Sequence, residues 1–231
     1  MNKRDSLFSH PMEPVSPFVF DEKVATVFDD MINRSVPGYE HVIGMTGVLA
    51  AQHLTPGGAC YDLGCSLGAS LISVISHATE QSCRFVGVDS SASMLDKCRE
   101  KLVQVGISDR VELCCDDIET VDLDGAAVVI MNYTLQFVSP SKRQNLISKI
   151  YESLRSGGLL LVADKISLED PACQSAVTQY HFSFKRANGY SDLEISQKRA
   201  ALENVLVPDT AAVHLERFQS AGFSRSCHWL N

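Results

Sequence analysis

The stretch Cys60-Tyr-Asp62-Leu-Gly64-Cys-Ser66-Leu-Gly68 decides how the rest of the chain is read. It starts in an apolar run short enough for a buried strand and passes into the helical pattern of 68–77. Two glycines therefore fall in a strand-to-helix turn, the setting a nucleotide-binding glycine loop requires. Gly64 lets the backbone turn tightly and approach a ligand, and Gly68 lets the helix pack close. Asp62, at the strand's end, can accept a hydrogen bond from a ligand ammonium group. The next apolar run ends in Asp89, a carboxylate about 25 residues after the loop, placed to bind the two ribose hydroxyls of an adenosine.

Outward from the loop, short apolar runs suited to buried parallel strands recur at 59–63, 84–89, 110–115, 126–131 and 159–163. Helical stretches near 68–77, 91–105 and 142–154 lie between them. The last reads as starting at a capping box, Ser141-x-x-Gln144, and ending at Gly157-Gly158. The link over 116–125 has room for one helical turn. Upstream, Val24, Val27, Phe28, Met31 and Ile32 recur at helical spacing over 21–33, with Asp21 as N-cap, and a second helix covers 40–53. Downstream the alternation lapses into three helices, 172–184, 192–206 and 209–221, before a final strand over 223–230.

This pattern predicts one doubly wound α/β domain with a mostly parallel, Rossmann-like sheet. Its parts are an N-terminal helical extension (1–54), a cofactor-binding core (55–165), a helical substrate-side insertion (166–222) and a last strand (223–231). Ligands of such sheets bind past the carboxyl ends of the strands, at the switch point.

Composition narrows the function classes. With 231 residues, 45% hydrophobic and 21% charged, the chain is ordinary for a globular protein with one good core. The formal charge of −8 argues against direct nucleic-acid binding. Lys185, Arg186, Lys198 and Arg199 are diluted by Asp192, Glu194 and Glu203, which reads as a solvated face with one anion site. The first 20 residues carry Pro11, Pro14 and Pro17 and no basic-then-apolar pattern, so no signal peptide is expected. No apolar run reaches the roughly 18 residues that span a bilayer, and the expected location is cytoplasmic. The eight cysteines include no C-x-x-C pair and several sit in apolar runs, as reduced buried thiols do. His77, His181, His214 and His228 have no ligand spacing, so no metal is expected.

NAD is the competing ligand for the glycine loop. Its loop needs glycine at the second position, where the pyrophosphate crowds the backbone, and Ser66 stands there. Asp-x-Gly-x-Ser-x-Gly instead resembles the signature loop of the class I S-adenosylmethionine-dependent methyltransferases, a likeness that covers about residues 55–165. It implies Asp117 and Ile118 beside the adenine, and Asn132 near the methionine part.

Three further stretches sharpen the resemblance: Arg34-Ser-Val-Pro-Gly-Tyr39, Asn132-Tyr-Thr-Leu-Gln-Phe137, and the run from Phe184-Lys-Arg-Ala-Asn-Gly-Tyr190 to Arg199. With the loop, they are similar to the carboxy-S-adenosyl-L-methionine synthases. That resemblance implies a methyltransferase-fold enzyme that does not transfer the methyl. It converts S-adenosyl-L-methionine and prephenate to carboxy-S-adenosyl-L-methionine and phenylpyruvate. It also implies a homodimer whose product goes to a separate tRNA carboxymethyltransferase acting on the wobble uridine. The implied contacts are Tyr39, Gly64, Cys65, Ser66, Asp89, Ser90, Asp117, Ile118, Asn132 and Arg199. The family fold further implies a terminal strand hairpin, of which this sequence holds only the first arm before Asn231.

Arg199 can also be read from the residues. A capping box, Ser191-x-x-Glu194, opens a helix in which Ile195, Arg199, Leu202 and Leu206 share a stripe. The arginine either snorkels to water or serves an anion. A guanidinium near a sulfonium methyl is repelled, whereas a carboxylated product offers it a bidentate partner. Two other functions remain open: an ordinary methyltransferase acting on a small molecule, and a non-catalytic adenosyl-ligand binding protein.

Overall fold

The computed structural model describes residues 3–80 and 82–230. Five parallel strands form one sheet: β1 (Ala59–Leu63), β2 (Arg84–Asp89), β3 (Val111–Cys115), β4 (Ala126–Asn132) and β5 (Leu154–Ala163), in the order β3-β2-β1-β4-β5. Every residue of β1 is buried, as a central parallel strand requires. Its side chains alternate between two apolar clusters. Ala59, Tyr61 and Leu63 enter one with Val129 and Met131, while Cys60 enters the other with Val128 and Ile130. The chain leaves β1 toward β2 on one side and returns to β4 on the other. The crevice of the sheet therefore opens at the carboxyl ends of β1 and β4.

Eight helices complete the fold: α1 (Glu22–Ser35), α2 (Tyr39–Ala51), α3 (Ala69–His77), α4 (Ala92–Gln104), α5 (Pro140–Ser153), α6 (Pro171–Ala187), α7 (Asp192–Leu202) and α8 (Ala211–Ala221). Residues of α5 and α8 pack on the cluster that holds Leu63, and those of α2 and α3 on the opposite one. A third cluster joins α1 to Leu67 of the glycine loop and Met94 of α4. Asp21 caps α1 by accepting from the Val24 amide at 3.0 Å, and Ser191 and Glu194 form the expected capping box of α7. In the 116–125 link the Val121 amide bonds the Asp117 carbonyl, closing the single turn expected there. Among the described residues no helix is long and apolar enough to cross a membrane.

Four boundaries differ from the sequence reading. Helix α5 opens on Pro140, which suits the first helical position. Gln144 then reaches the Arg217 carbonyl instead of closing a capping box with Ser141. Gly157-Gly158 does not end that helix but lies within β5, which pairs with β4 from Leu154 onward across a register shift. Helix α7 stops at Leu202, because residues beyond it are drawn to the core: the Val207 amide donates to the Gln136 carbonyl at 3.0 Å. Finally, residues 223–230 form no strand. Gly222, at φ 110°, stops α8, and Phe223 packs edge-on against Tyr151, but the segment joins no ladder and so gains no strand geometry. Asn231 lies outside the described residues.

One buried cation ties these pieces together. Arg143, 1% exposed, sits in α5 and donates to the carbonyls of Gln136, Val138 and Val207 and to Asp209 at 2.6 Å. Asp209 also accepts from Arg217 of α8 at 2.8 Å. Arg143→Met would leave three carbonyls and a half-paired carboxylate without their donor. The expected loss is about 3 kcal/mol of unfolding free energy in urea titration. A loss below about 1 kcal/mol would show the tether to be dispensable.

Candidate functional site

The glycine loop is held by the strand beside it. The amides of Gly64 and Cys65 both donate to the Val88 carbonyl, at 2.8 and 3.0 Å, folding the loop over the end of β2. Gly64, Ser66 and Gly68 all have positive φ, at 77°, 48° and 77°. A Cβ on Gly64 would meet Thr134 Oγ1 at 2.5 Å, and one on Gly68 would meet Cys98 Sγ at 2.7 Å. The close approach at Gly64 is thus to the turn after β4, and that at Gly68 is to α4. Ser66 occupies the position where a pyrophosphate-binding loop requires glycine.

Asp89 anchors the loop from β2. Its Oδ2 accepts from the Ser66 amide and its Oδ1 from the Ser91 amide, both at 2.9 Å. Burial pushes its carboxyl above the usual range, and these two amides oppose the shift. Across the switch point, Asn132 at the end of β4 donates to Thr46 Oγ1 at 3.2 Å and Ser70 Oγ at 3.0 Å. Those bonds orient its amide and leave Oδ1 buried without a partner. Asp62 Oδ2 is in the same condition. Burial, then the nearby Asp89 charge, raises the Asp62 carboxyl to about 7, with a Ser70 hydrogen bond pulling the other way. Two orphaned acceptor atoms thus stand at the ends of two adjacent strands, a deficit that a ligand's cationic donor would fill.

A cavity of ≈ 1680 Å³ opens there. The loop contributes Gly64, Cys65 and Ser66 to its wall, β2 and its turn contribute Asp89 and Ser90, and Asp117, Ile118 and Asn132 follow from β3 and β4. Tyr39 joins them from the start of α2, its ring 5.8 Å from that of Tyr133. Asp62 is buried (2% exposed) and is not part of the wall itself. Among the described residues no group of three or more metal-ligating side chains is assembled.

Comparison with known proteins shows the family and the fold. A family model described as "Methyltransferase domain" matches residues 61–158. The carboxy-S-adenosyl-L-methionine synthase of Geobacter sp. strain M21 is 48% identical over 228 residues, 98% of this chain and 93% of that protein. The synthase of Shewanella halifaxensis is 47% identical over 97% of this chain and 93% of its own length. The chain belongs to the carboxy-S-adenosyl-L-methionine synthase family. It is thereby an S-adenosylmethionine-dependent enzyme. Solved structures show the same fold at low identity. Mitomycin 7-O-methyltransferase MmcR matches with TM-score 0.59 at 16% identity, over 87% of this chain and 50% of that one. A putative S-adenosyl-L-methionine-dependent methyltransferase from Methanococcus maripaludis matches with TM-score 0.58 at 18% identity, over 89% and 84%.

In this synthase-family chain, Arg199 stands apart from the other expected residues. It is exposed on α7, its guanidinium carbon 5.6 Å from the Phe182 ring centroid, and it does not line the cavity. The buried face of α7 runs through Ile195, Lys198 and Ala201 instead of through Arg199 and Leu206. Lys198 takes the inward position because anion and hydroxyl are waiting: Asp5 Oδ2 at 3.7 Å and Ser35 Oγ at 3.0 Å. The distant Asp5 gave no sequence signal for this pairing. Asp164 is a second residue not anticipated. It follows β5 as Asn132 closes β4, lines the cavity, and has both carboxylate oxygens buried without partners. Burial raises its carboxyl to about 8, so it is largely protonated at neutral pH. Its place after an apolar strand is the signal that could have found it.

The orphaned Asp62 predicts a trade between stability and binding. Its carboxyl holds a proton more tightly folded (about 7) than at its ordinary value of 3.8, so the ligand-free fold loses stability as pH rises through that window. Asp62→Asn should melt higher than wild type at pH 8, by the equivalent of about 1–3 kcal/mol, with the difference vanishing near pH 4. The same variant should bind S-adenosylmethionine at least about tenfold more weakly by calorimetry. A variant that binds normally would remove Asp62 from the site.

Proposed function

We propose that this chain converts S-adenosyl-L-methionine and prephenate to carboxy-S-adenosyl-L-methionine and phenylpyruvate. The reading places it in the cytoplasm as a homodimer, supplying the carboxymethyl donor to a tRNA carboxymethyltransferase that builds 5-oxyacetyl uridine at the wobble position. What carries it is the likeness to carboxy-S-adenosyl-L-methionine synthases over 98% of the chain. The two unpartnered acceptors, Asp62 Oδ2 and Asn132 Oδ1, support it at the place where an ammonium group is needed.

The reaction balances without an outside oxidant. Prephenate loses carbon dioxide and its ring hydroxyl and becomes aromatic; the carbon dioxide forms a bond to the former methyl carbon. The hydroxyl leaves with the methyl proton as water. Bound S-adenosylmethionine supplies a methyl group made acidic by the adjacent sulfonium. The chain's own part is positioning and exclusion of water. Asp89 is set to take the ribose hydroxyls on the lone pairs its two amides leave free. Asp62 and Asn132 serve the methionine ammonium, and Asp117 with Ile118 borders the adenine. Phe20 and Phe137, packed edge to face at 5.3 Å, add apolar surface to the cavity wall.

Arg199 is assigned to clamp the new carboxylate. Since it is exposed in the single chain, a second copy of this chain is the natural recipient of its guanidinium. Mass spectrometry of protein given both substrates should show an adenosyl ligand heavier than S-adenosylmethionine by one carbon dioxide, rising with phenylpyruvate. S-adenosylhomocysteine as the product would establish ordinary methyl transfer instead, and unchanged ligand would leave a binding protein. Arg199→Ala should abolish turnover while leaving S-adenosylmethionine affinity intact. Mixed with an Asp89→Ala chain it should recover roughly a quarter of wild-type activity if the arginine acts across a two-fold interface, and none if it acts within its own chain.

A further inference from the structure

Charge is partitioned across the cavity. The wall beside β2 and β3 carries Asp89, Asp117 and Glu119, with Asp62 buried close by at the end of β1. The wall formed by the turn after β5 and by α6 and α7 carries Lys165, His181, Lys185 and Lys198. In a chain of net charge −8 this gathering of cations is conspicuous, and it is poorly compensated. Lys198 is engaged by Ser35 and Asp5, and His181 Nε2 bonds the Ser35 carbonyl at 2.7 Å. Lys185, only 8% exposed, has neither an acidic partner nor a side-chain hydrogen bond among the described residues, and the ammonium of Lys165, an exposed residue, has none either. Burial raises the carboxyl of Asp164, the nearest in sequence, to about 8, which weakens it as a counter-charge.

From this geometry we propose that Lys165 and Lys185 form an anion subsite for a small organic dicarboxylate, the co-substrate that reacts beside the adenosyl ligand. A buried amine without a partner, as at Lys185, is costly unless a ligand neutralises it, and the exposed Lys165 is free to turn to the same ligand. The cost is visible in the free chain: burial, then the charge of Lys165, lowers the Lys185 ammonium to about 8. Lys165 is itself lowered by burial and then by Arg199. A dianion would neutralise both charges, whereas a monocarboxylate would leave one of them uncompensated. The volume allows it, since ≈ 1680 Å³ exceeds the few hundred to about 1000 Å³ that one small ligand fills. The partition also fits the pair of ligands, a cationic adenosyl compound on the acidic side and a dianion on the basic side. The placement rests on the proposed function for the identity of the co-substrate, while the anion subsite rests on the lysines.

The test is calorimetric titration of prephenate, and separately malonate, into protein loaded with S-adenosylhomocysteine, which has no methyl to react. Wild type is compared with Lys165→Met, Lys185→Met and the charge-preserving Lys185→Arg. Both dicarboxylates should bind wild type, lose about tenfold or more of affinity in each methionine variant, and retain most of it in the arginine variant. S-adenosylhomocysteine affinity should stay within about twofold throughout, which also reports that the variants are folded. Failure of wild type to bind either dicarboxylate would overturn the proposal. So would affinity indifferent to the substitutions, or an equal loss of S-adenosylhomocysteine binding, which would assign the lysines to the methionyl carboxylate. The proposed function fails separately: wild type that binds malonate through these lysines yet makes no carboxylated product keeps the subsite and removes the reaction. Wild type that makes the product with an unchanged KM for prephenate in both methionine variants does the reverse.

Discussion

The rest of the site depends on the Asp89 carboxylate and the two amides it holds. One amide belongs to Ser66 in the glycine loop, the other to Ser91 at the cap of α4. A single side chain thereby fixes the turn after β1 relative to the helix after β2. It also spends part of its hydrogen-bonding capacity on the scaffold before any ligand arrives. Ser66 sits in the left-handed region at φ 48°, a conformation worth holding only because the amide it presents has a fixed acceptor. The Val88 carbonyl, taking two loop amides, completes the arrangement. A loop so tied needs little reorganisation to receive an adenosine, which is what preorganisation means energetically.

The same cavity holds groups that the fold alone does not reward. Asp62 and Asn132 each keep a buried oxygen unpaired, Asp164 keeps both carboxyl oxygens unpaired, and Lys185 keeps a desolvated amine without a counter-charge. Each such group costs free energy in the ligand-free chain. They are gathered at one end of the sheet, whereas Arg143, an equally buried ion elsewhere, is fully bonded. Buried guanidinium nitrogens of Arg34 and Arg110 are also unpaired, but the unpaired buried oxygens among the described residues all stand at the crevice, the mark of a surface shaped for something other than itself.

Much of this was legible beforehand for a definite reason. The glycine loop, Asp89 and the five strands lie in local patterns a few residues long, and their chemistry is fixed by position on a strand end. Asp21 and Ser191 behave as the expected caps because capping is also local. The failures came where a distant residue decided the outcome. Gly157-Gly158 looked like a helix end until pairing with β4 drew it into β5. Arg199 and Lys198 are neighbours with similar patterns, and Asp5, nearly two hundred residues away, settles which one turns inward. The arm at 223–230 had a strand's composition but no partner to pair with, and composition cannot supply a ladder.

The segment before α1 leads to a different kind of consequence. It lies along α7: the Met12 amide donates to Gln197 Oε1, Gln197 donates to the carbonyls of Phe8 and His10, and the Phe18 amide bonds the Ala201 carbonyl. These bonds join residues separated by about four-fifths of the chain, 185 positions in the case of Met12. On a ribosome that stretch emerges first and has nowhere to dock until α7 has been synthesised. The sheet can form before it does, because its pairings close over much shorter distances. Phe18 and Phe20, which the segment delivers to the cavity, are therefore among the first residues made yet reach their places only once α7 exists.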